Sequence, residues 1–164
     1  MPLFNLTDLM ARLGRDDRLL GIDPGSKTIG LALSDVRRTL ATPYAAIRRR
    51  KLRDTAPEIA AIARKEGARG LVVGLPLDMD GRLGPAAQAA RDWAGDLSEA
   101  VGLPAAMWDE RLSSAAANRF LISEADVSHA KRAASVDRLA AAFILQSALD
   151  AAARRDEEDP DAGP

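Results

Sequence analysis

Two short apolar runs, Leu19-Leu20-Gly21-Ile22 and Ile29-Gly30-Leu31-Ala32-Leu33, face each other across the turn sequence Asp23-Pro24-Gly25. Runs this short and this rich in Leu and Ile predict strands, and Pro-Gly is strong turn chemistry because Pro fixes φ and Gly permits φ > 0. The stretch therefore reads as a β-hairpin over residues 18–22 and 29–33, with Asp23 where the first strand stops. Thr39–Ile47 predicts a third strand, and its Pro43 suits an edge or a bent start. Gly70-Leu71-Val72-Val73-Gly74 is a continuous apolar run after a helical segment, which predicts a buried strand parallel to the first. Pro104–Trp108 predicts another strand, and it ends at Asp109-Glu110.

Between the strands the apolar spacing turns helical. Asn5 or Thr7 caps a short candidate helix stopped by Gly14, to which no function is assigned. Thr55-Ala56-Pro57-Glu58 has the form of a capping box, and Ile59, Ile62 and Ala63 follow at helical spacing until Gly67. Pro85 opens a helix with Ala86, Ala89, Ala90, Trp93 and Leu97 on one stripe, closed by Gly102. Ser113 or Ser114 caps a further helix to about Glu124, Ala125–Ala134 reads as a polar loop, and Ser135 caps the last helix. The Gly- and Pro-punctuated loop Leu75–Pro85 leaves the C-terminal end of a strand, the side of an α/β sheet where ligands bind. The expected architecture is α/β: a mixed sheet with an antiparallel hairpin start and a parallel remainder, flanked by helices. Residues 1–17 form an N-terminal extension, 18–153 the domain, and 154–164 an acidic tail expected to be disordered.

The 164 residues suffice for one domain with a substantial core, and 47% hydrophobic with 29% charged content is ordinary for a soluble protein. No apolar run approaches the ~20 residues of a membrane span, and the chain contains no cysteine, which leaves no disulfide frame and no thiolate metal site. A cytoplasmic location is the resulting expectation. The tail holds five of the 24 acids and two of the 23 basic residues, so the formal charge of −1 becomes +2 for Met1–Ala153. That body is compatible with a polyanionic partner, and the densest basic cluster is Arg48-Arg49-Arg50-Lys51 with Arg53. Trp93 and Trp108 read as core or sheet-edge residues, and the single histidine, His129, as a solvated side chain.

The candidate chemistry lies in three acids. Asp23 and Glu110 end strands that the topology would put side by side or nearly so, and Asp137 stands in the first turn of a helix able to pack across the same edge. Carboxylates brought so close repel one another unless a proton or a cation offsets the charge. A hard divalent cation is the usual solution, because Mg²⁺ takes oxygen ligands and sits between carboxylates and substrate phosphates. Each acid also has a plainer role: a turn residue for Asp23, an ion pair with Arg111 for Glu110, a helix-dipole partner for Asp137.

Four motifs settle which role to expect. Leu20-Gly21-Ile22-Asp23-Pro24-Gly25, Val73-Gly74-Leu75-Pro76-Leu77 with Asp80-Gly81 and Gly84-Pro85, Trp108-Asp109-Glu110-Arg111-Leu112-Ser113-Ser114, and Asp137-Arg138-Leu139-Ala140-Ala141-Ala142-Phe143-Ile144-Leu145-Gln146 occur in that order. Together, over about residues 18 to 150, they strongly resemble the YqgF/RuvX family of pre-16S ribosomal RNA nucleases, also described as Holliday-junction-resolvase-like proteins. The resemblance implies a ribonuclease-H-like fold. It also implies that Asp23, Glu110 and Asp137 are catalytic acids that bind Mg²⁺ or Mn²⁺. Lys131, Arg132, Arg82 and Arg111, with the cluster Arg48, Arg49 and Arg50, are the candidate contacts to nucleic acid.

The expected function is metal-dependent cleavage of precursor 16S ribosomal RNA, by a monomer or weak homodimer without membrane association. Resolution of branched DNA is the nearest alternative. Asp23-Pro24-Gly25 through Gly30 also looks like the phosphate-loop hairpin of actin-like ATPases and sugar kinases, but those proteins close two such domains over a nucleotide. A non-catalytic RNA-binding assembly factor is the remaining alternative, and the presence of all three acids argues against it.

Overall fold

The computed structural model describes residues 3–76, 84–109 and 129–158, the side chains of 129–137 and 156–158 excepted. Five strands form one sheet: β1 (Arg18–Pro24), β2 (Thr28–Ser34), β3 (Ala41–Arg48), β4 (Ala68–Leu75) and β5 (Ala105–Asp109). Their order is β3-β2-β1-β4-β5, with β2 antiparallel to β1 and β3, and with β4 parallel to both β1 and β5. This is the ribonuclease-H-like arrangement, a hairpin start followed by parallel strands. Pro43 lies in the edge strand, where its missing N–H costs least, and the β2–β3 register slips there: Leu31 faces Ala45 while Ala32 faces Pro43.

Helices cover both faces. On one lie α2 (Leu52–Glu66) and α3 (Pro85–Val101), over a core of Leu20, Ile22, Ile29, Leu31, Leu71 and Val73. On the other lie α1 (Leu6–Ala11) and the long α4 (His129–Glu158), over Leu19, Ala32, Val72 and Ala106. Strand alternation assigns the faces: odd positions of β1 look to α4, even ones to α2 and α3. At Gly21 α4 packs close on β1, since a Cβ there would stand 2.8 Å from the Cβ of Leu145 and 3.0 Å from the carbonyl of Ala141. Among the described residues no helix is long and apolar enough to cross a membrane.

Several boundaries depart from the sequence reading. The capping-box pattern predicts a helix from Thr55, but α2 begins at Leu52, placing Pro57 inside it. The Thr55 hydroxyl is instead buried against the preceding turn, accepting from the Arg50 N–H and donating to the Arg50 carbonyl, both at 3.2 Å. The last helix begins at His129 rather than Ser135, so His129, Lys131 and Arg132 belong to a helix and not to a polar loop. Ala, Lys and Arg are good helix formers, and polarity alone is no barrier to a helix. For the same reason α4 continues through Arg154 and Arg155 to Glu158, past the expected end at residue 153. The helix expected from Ser113 or Ser114 to Glu124, and most of the loop Leu75–Pro85, lie outside the described residues.

The N-terminal segment is part of the core. Asn5 caps α1 by accepting the Asp8 N–H at 2.8 Å, Leu6 and Leu9 are buried, and the Phe4 N–H bonds the Ala105 carbonyl at 2.9 Å beside β5.

Candidate active site

β1 and β4 run in register, Ile22 beside Val73, and β4 and β5 likewise, Gly74 beside Trp108 and Leu75 beside Asp109. The C-terminal ends of these three parallel strands therefore share one edge of the sheet. Asp23 stands on it, half-buried, as the next-to-last residue of β1, and by alternation it shares the α4 face with Gly21. β5 ends on the same edge at Asp109, and Glu110 follows it in the chain. One strand, β4, separates β1 from β5, so the two strand ends are not adjacent but next-but-one.

The turn after Asp23 is tighter than the sequence implies. The Gly25 N–H donates to the Asp23 carbonyl at 3.0 Å, and a Cβ on Gly25 would stand 2.4 Å from the Thr28 carbonyl. Gly25 is absent from the described residues with positive φ, which among the glycines are Gly67 and Gly102. Room, rather than φ > 0, is what this turn requires of glycine.

The basic cluster joins this edge through the antiparallel ladder. Thr28, just past the turn, pairs with Arg48, so the end of β3 lies level with the end of β1. Arg48 and Arg50 are exposed, and Arg49 is half-buried. Arg49 donates from Nη1 to the Gly25 carbonyl at 3.0 Å, and its guanidinium carbon lies 5.1 Å from the ring centroid of Trp93 on α3. Trp108 is tied to α4, donating from Nε1 to the Ser147 hydroxyl at 3.1 Å. Neither indole is a bare stacking platform.

α4 fixes the direction of the remaining acid. Gln146 reaches the far end of the sheet, accepting the Ala41 N–H at 2.8 Å and donating to the Thr39 carbonyl at 2.9 Å, while Ala141 lies over Gly21. Residues before Ala141 thus run toward the Asp23 edge, and Asp137 is one helical turn before it. The side chains of Asp137, Lys131 and Arg132 lie outside the described residues, as do Glu110, Arg82 and Arg111 altogether. Among the described residues no group of three or more His, Cys, Asp or Glu gathers to hold a metal. The inward role of Arg49 is what the sequence reading missed, since it took Arg48, Arg49 and Arg50 together as candidate contacts to nucleic acid. The alternation from buried Ile47 is the signal that could have found it.

The chain is similar to known proteins over most of its length. A sequence model of the family described as RuvX, Holliday junction resolvase, matches residues 17–151. A protein of Gluconacetobacter diazotrophicus named "Putative pre-16S rRNA nuclease" is 65% identical over 153 residues, covering 93% of this chain and 99% of its own. One of the same name from Acidiphilium cryptum is 65% identical over 150 residues, covering 92% and 94%. The solved structure of T. thermophilus RuvC in complex with a Holliday junction substrate overlays at a TM-score of 0.49 with 14% identity, covering 83% of this chain and 95% of that one.

Proposed function

Since the chain belongs to the RuvX family of Holliday junction resolvases, we propose that it is a divalent-metal-dependent nuclease of the cytoplasm, that its substrate is precursor 16S ribosomal RNA, and that Asp23, Glu110 and Asp137 are its working acids. The observation that carries this reading is the shared edge, where a half-buried carboxylate closes the central strand and exposed arginines close the strand two places away. Asp137 fits the same edge by register. From Ala141 back to Asp137 is ~6 Å along a helix, and from Gly21 on to Asp23 is ~6.6 Å along a strand. The two backbones therefore advance together from the Gly21–Ala141 contact.

The donor set suits a hard cation: three carboxylates, in a chain without a cysteine thiolate. Mg²⁺ or Mn²⁺ held there would lower the pKa of a water and offset the charge that builds on a phosphodiester as it is cut. The chain's own part is to hold the acids on rigid elements, Asp23 on a central strand and Asp137 on a helix packed against it. Arg48, Arg50, Lys131 and Arg132 meet phosphates on either side, giving affinity without base specificity.

The test is cleavage of precursor 16S RNA by the purified chain, with Mg²⁺ and with chelator, beside a four-way DNA junction of equal length. Metal-dependent cuts in the RNA support the proposal. Preferential cutting of the junction moves the substrate to branched DNA, and binding without cleavage of either makes the chain an assembly factor.

A further inference from the structure

Arg49 behaves unlike its neighbours in the basic cluster, and β3 explains why. Ile47 is buried beneath α2 and α3, and two residues on, alternation brings Arg49 to the same face. Three contacts then hold it: its N–H to the Lys27 carbonyl at 2.9 Å, Nη1 to the Gly25 carbonyl at 3.0 Å, and the guanidinium over the Trp93 ring at 5.1 Å. One side chain thus joins the end of β3, the turn directly after Asp23, and α3. Gly25 can be gripped only through its backbone, since no side chain fits there. Its own N–H bonds the Asp23 carbonyl, which carries the grip to Asp23.

We propose that Arg49 is a positioning residue of the nuclease site: it clamps the Gly25 turn against Trp93, fixing the backbone of Asp23, and makes no contact with substrate phosphate. The inference rests on the nuclease reading and deepens it. A planar guanidinium can donate to a carbonyl while stacking on an indole, whereas a lysine ammonium offers one compact charge that cannot hold both partners in the same geometry. A catalytic carboxylate tolerates little displacement, so loosening the turn slows the chemical step and leaves binding alone.

Arg49→Lys keeps the charge and most of the stem. It is compared with wild type and with the Arg48→Ala/Arg50→Ala double variant in single-turnover cleavage and in RNA binding with chelator present. The expected result for Arg49→Lys is a cleavage rate lowered about tenfold or more, with an affinity and salt slope equal to wild type. The double variant shows the reverse pattern. Weakened binding with an unchanged rate in Arg49→Lys, or no change in either, overturns the proposal. Should Arg49→Lys not fold, Trp93→Leu, which withdraws the ring beneath the guanidinium and keeps an apolar side chain against the core, takes its place under the same criteria. If wild type cuts nothing, the nuclease reading fails separately. The clamp is then read in a Trp108→Phe background, where Arg49→Lys must shift Trp93 emission and speed amide exchange across residues 25–28, and unchanged emission and exchange overturn it.

Discussion

Where β1 begins, polar side chains are spent on the protein's own backbone; where it ends, a half-buried carboxylate stands level with two exposed arginines. At the first end the Ser34 hydroxyl accepts the Leu19 N–H at 2.8 Å, and Asp35 accepts the N–H groups of Thr39 and Leu40 at 2.8 and 3.1 Å. Arg38, held at a left-handed φ of 55°, donates to the carbonyls of Gly14 and Asp17, and Gln146 ties α4 to β3. A cleft of about 340 Å³ beside them, lined by Arg38 and Arg155 among others, lies far from Asp23. At the second end stand Asp23, the exposed Arg48 and Arg50, and the end of β5. Two aspartates that a sequence shows equally close to hairpin turns thus stand in different surroundings. Stability is built in at one end, and the proposed chemistry falls at the other.

The comparison breaks if Asp23 turns out to be merely structural. Asp23→Asn should lower metal-dependent cleavage by roughly two to three orders of magnitude, the scale of removing one charge-stabilising group from a site. Without metal the variant should be as stable as wild type or slightly more so, because a repelling charge has gone. Denaturant melts with chelator and with Mg²⁺ check both halves: an active variant, or one that unfolds readily without metal, returns Asp23 to the role of turn residue.

The opposite outcome belongs to Ser34, which is 2% exposed. Ser34→Ala leaves the Leu19 N–H buried without its partner, and should cost ~1–3 kcal/mol, or ~2–4 °C of Tm per kcal/mol at this chain length. Cleavage measured well below Tm should match wild type. A loss of cleavage without a loss of stability would erase the division between the two ends.

That division was only partly legible in the sequence. The hairpin, the parallel strands and the edge position of β3 follow from apolar runs and from Pro43, because burial on both faces leaves an unbroken apolar signature. The helix starts were misread where local chemistry competes: Thr55 fits a capping box yet serves a turn, and Lys131-Arg132 look like a loop although helix formers surround them. Pro24-Gly25 announced a turn, but not that Gly25 is required for space, which depends on a carbonyl three residues on. Nor could α1 be ranked as core, since Leu6 and Leu9 are buried in a cluster whose members lie as far along the chain as Leu149. Three carboxylates far apart in the chain carry no local signal of convergence: the strand order made a common edge conceivable, and the family motifs made it the expectation.

The charged end can be sharpened by salt. If Arg48 and Arg50 each meet a phosphate, removing both should weaken RNA binding and flatten the dependence of log K on log salt by ~0.7 for each phosphate of a single strand that is no longer neutralised. Melting should be unaffected, since both side chains are exposed. Filter binding from low to high salt reads the slope, and an unchanged slope removes these arginines from the interface.

The smallest effect, and the most specific to the closed end, is a pH dependence at Asp35. The Leu40 N–H, and then Thr39 through its N–H and hydroxyl, hold the carboxyl below its ordinary value of 3.8, against the opposing effect of partial burial. A group whose folded pKa is depressed stabilises the fold above the unfolded value and loses that contribution as pH falls through the folded one. Asp35→Asn keeps an acceptor oxygen but not the charge, so it should be less stable than wild type at pH 7 and above. The gap should hold down to about pH 4 and close below it, as the wild-type carboxyl takes up its proton. Urea titrations at pH 7, 5 and 3 follow the gap, while cleavage at pH 7 should stay at the wild-type level. A gap that persists unchanged at pH 3 would mean that the turn is held by the shape of the side chain and not by its charge.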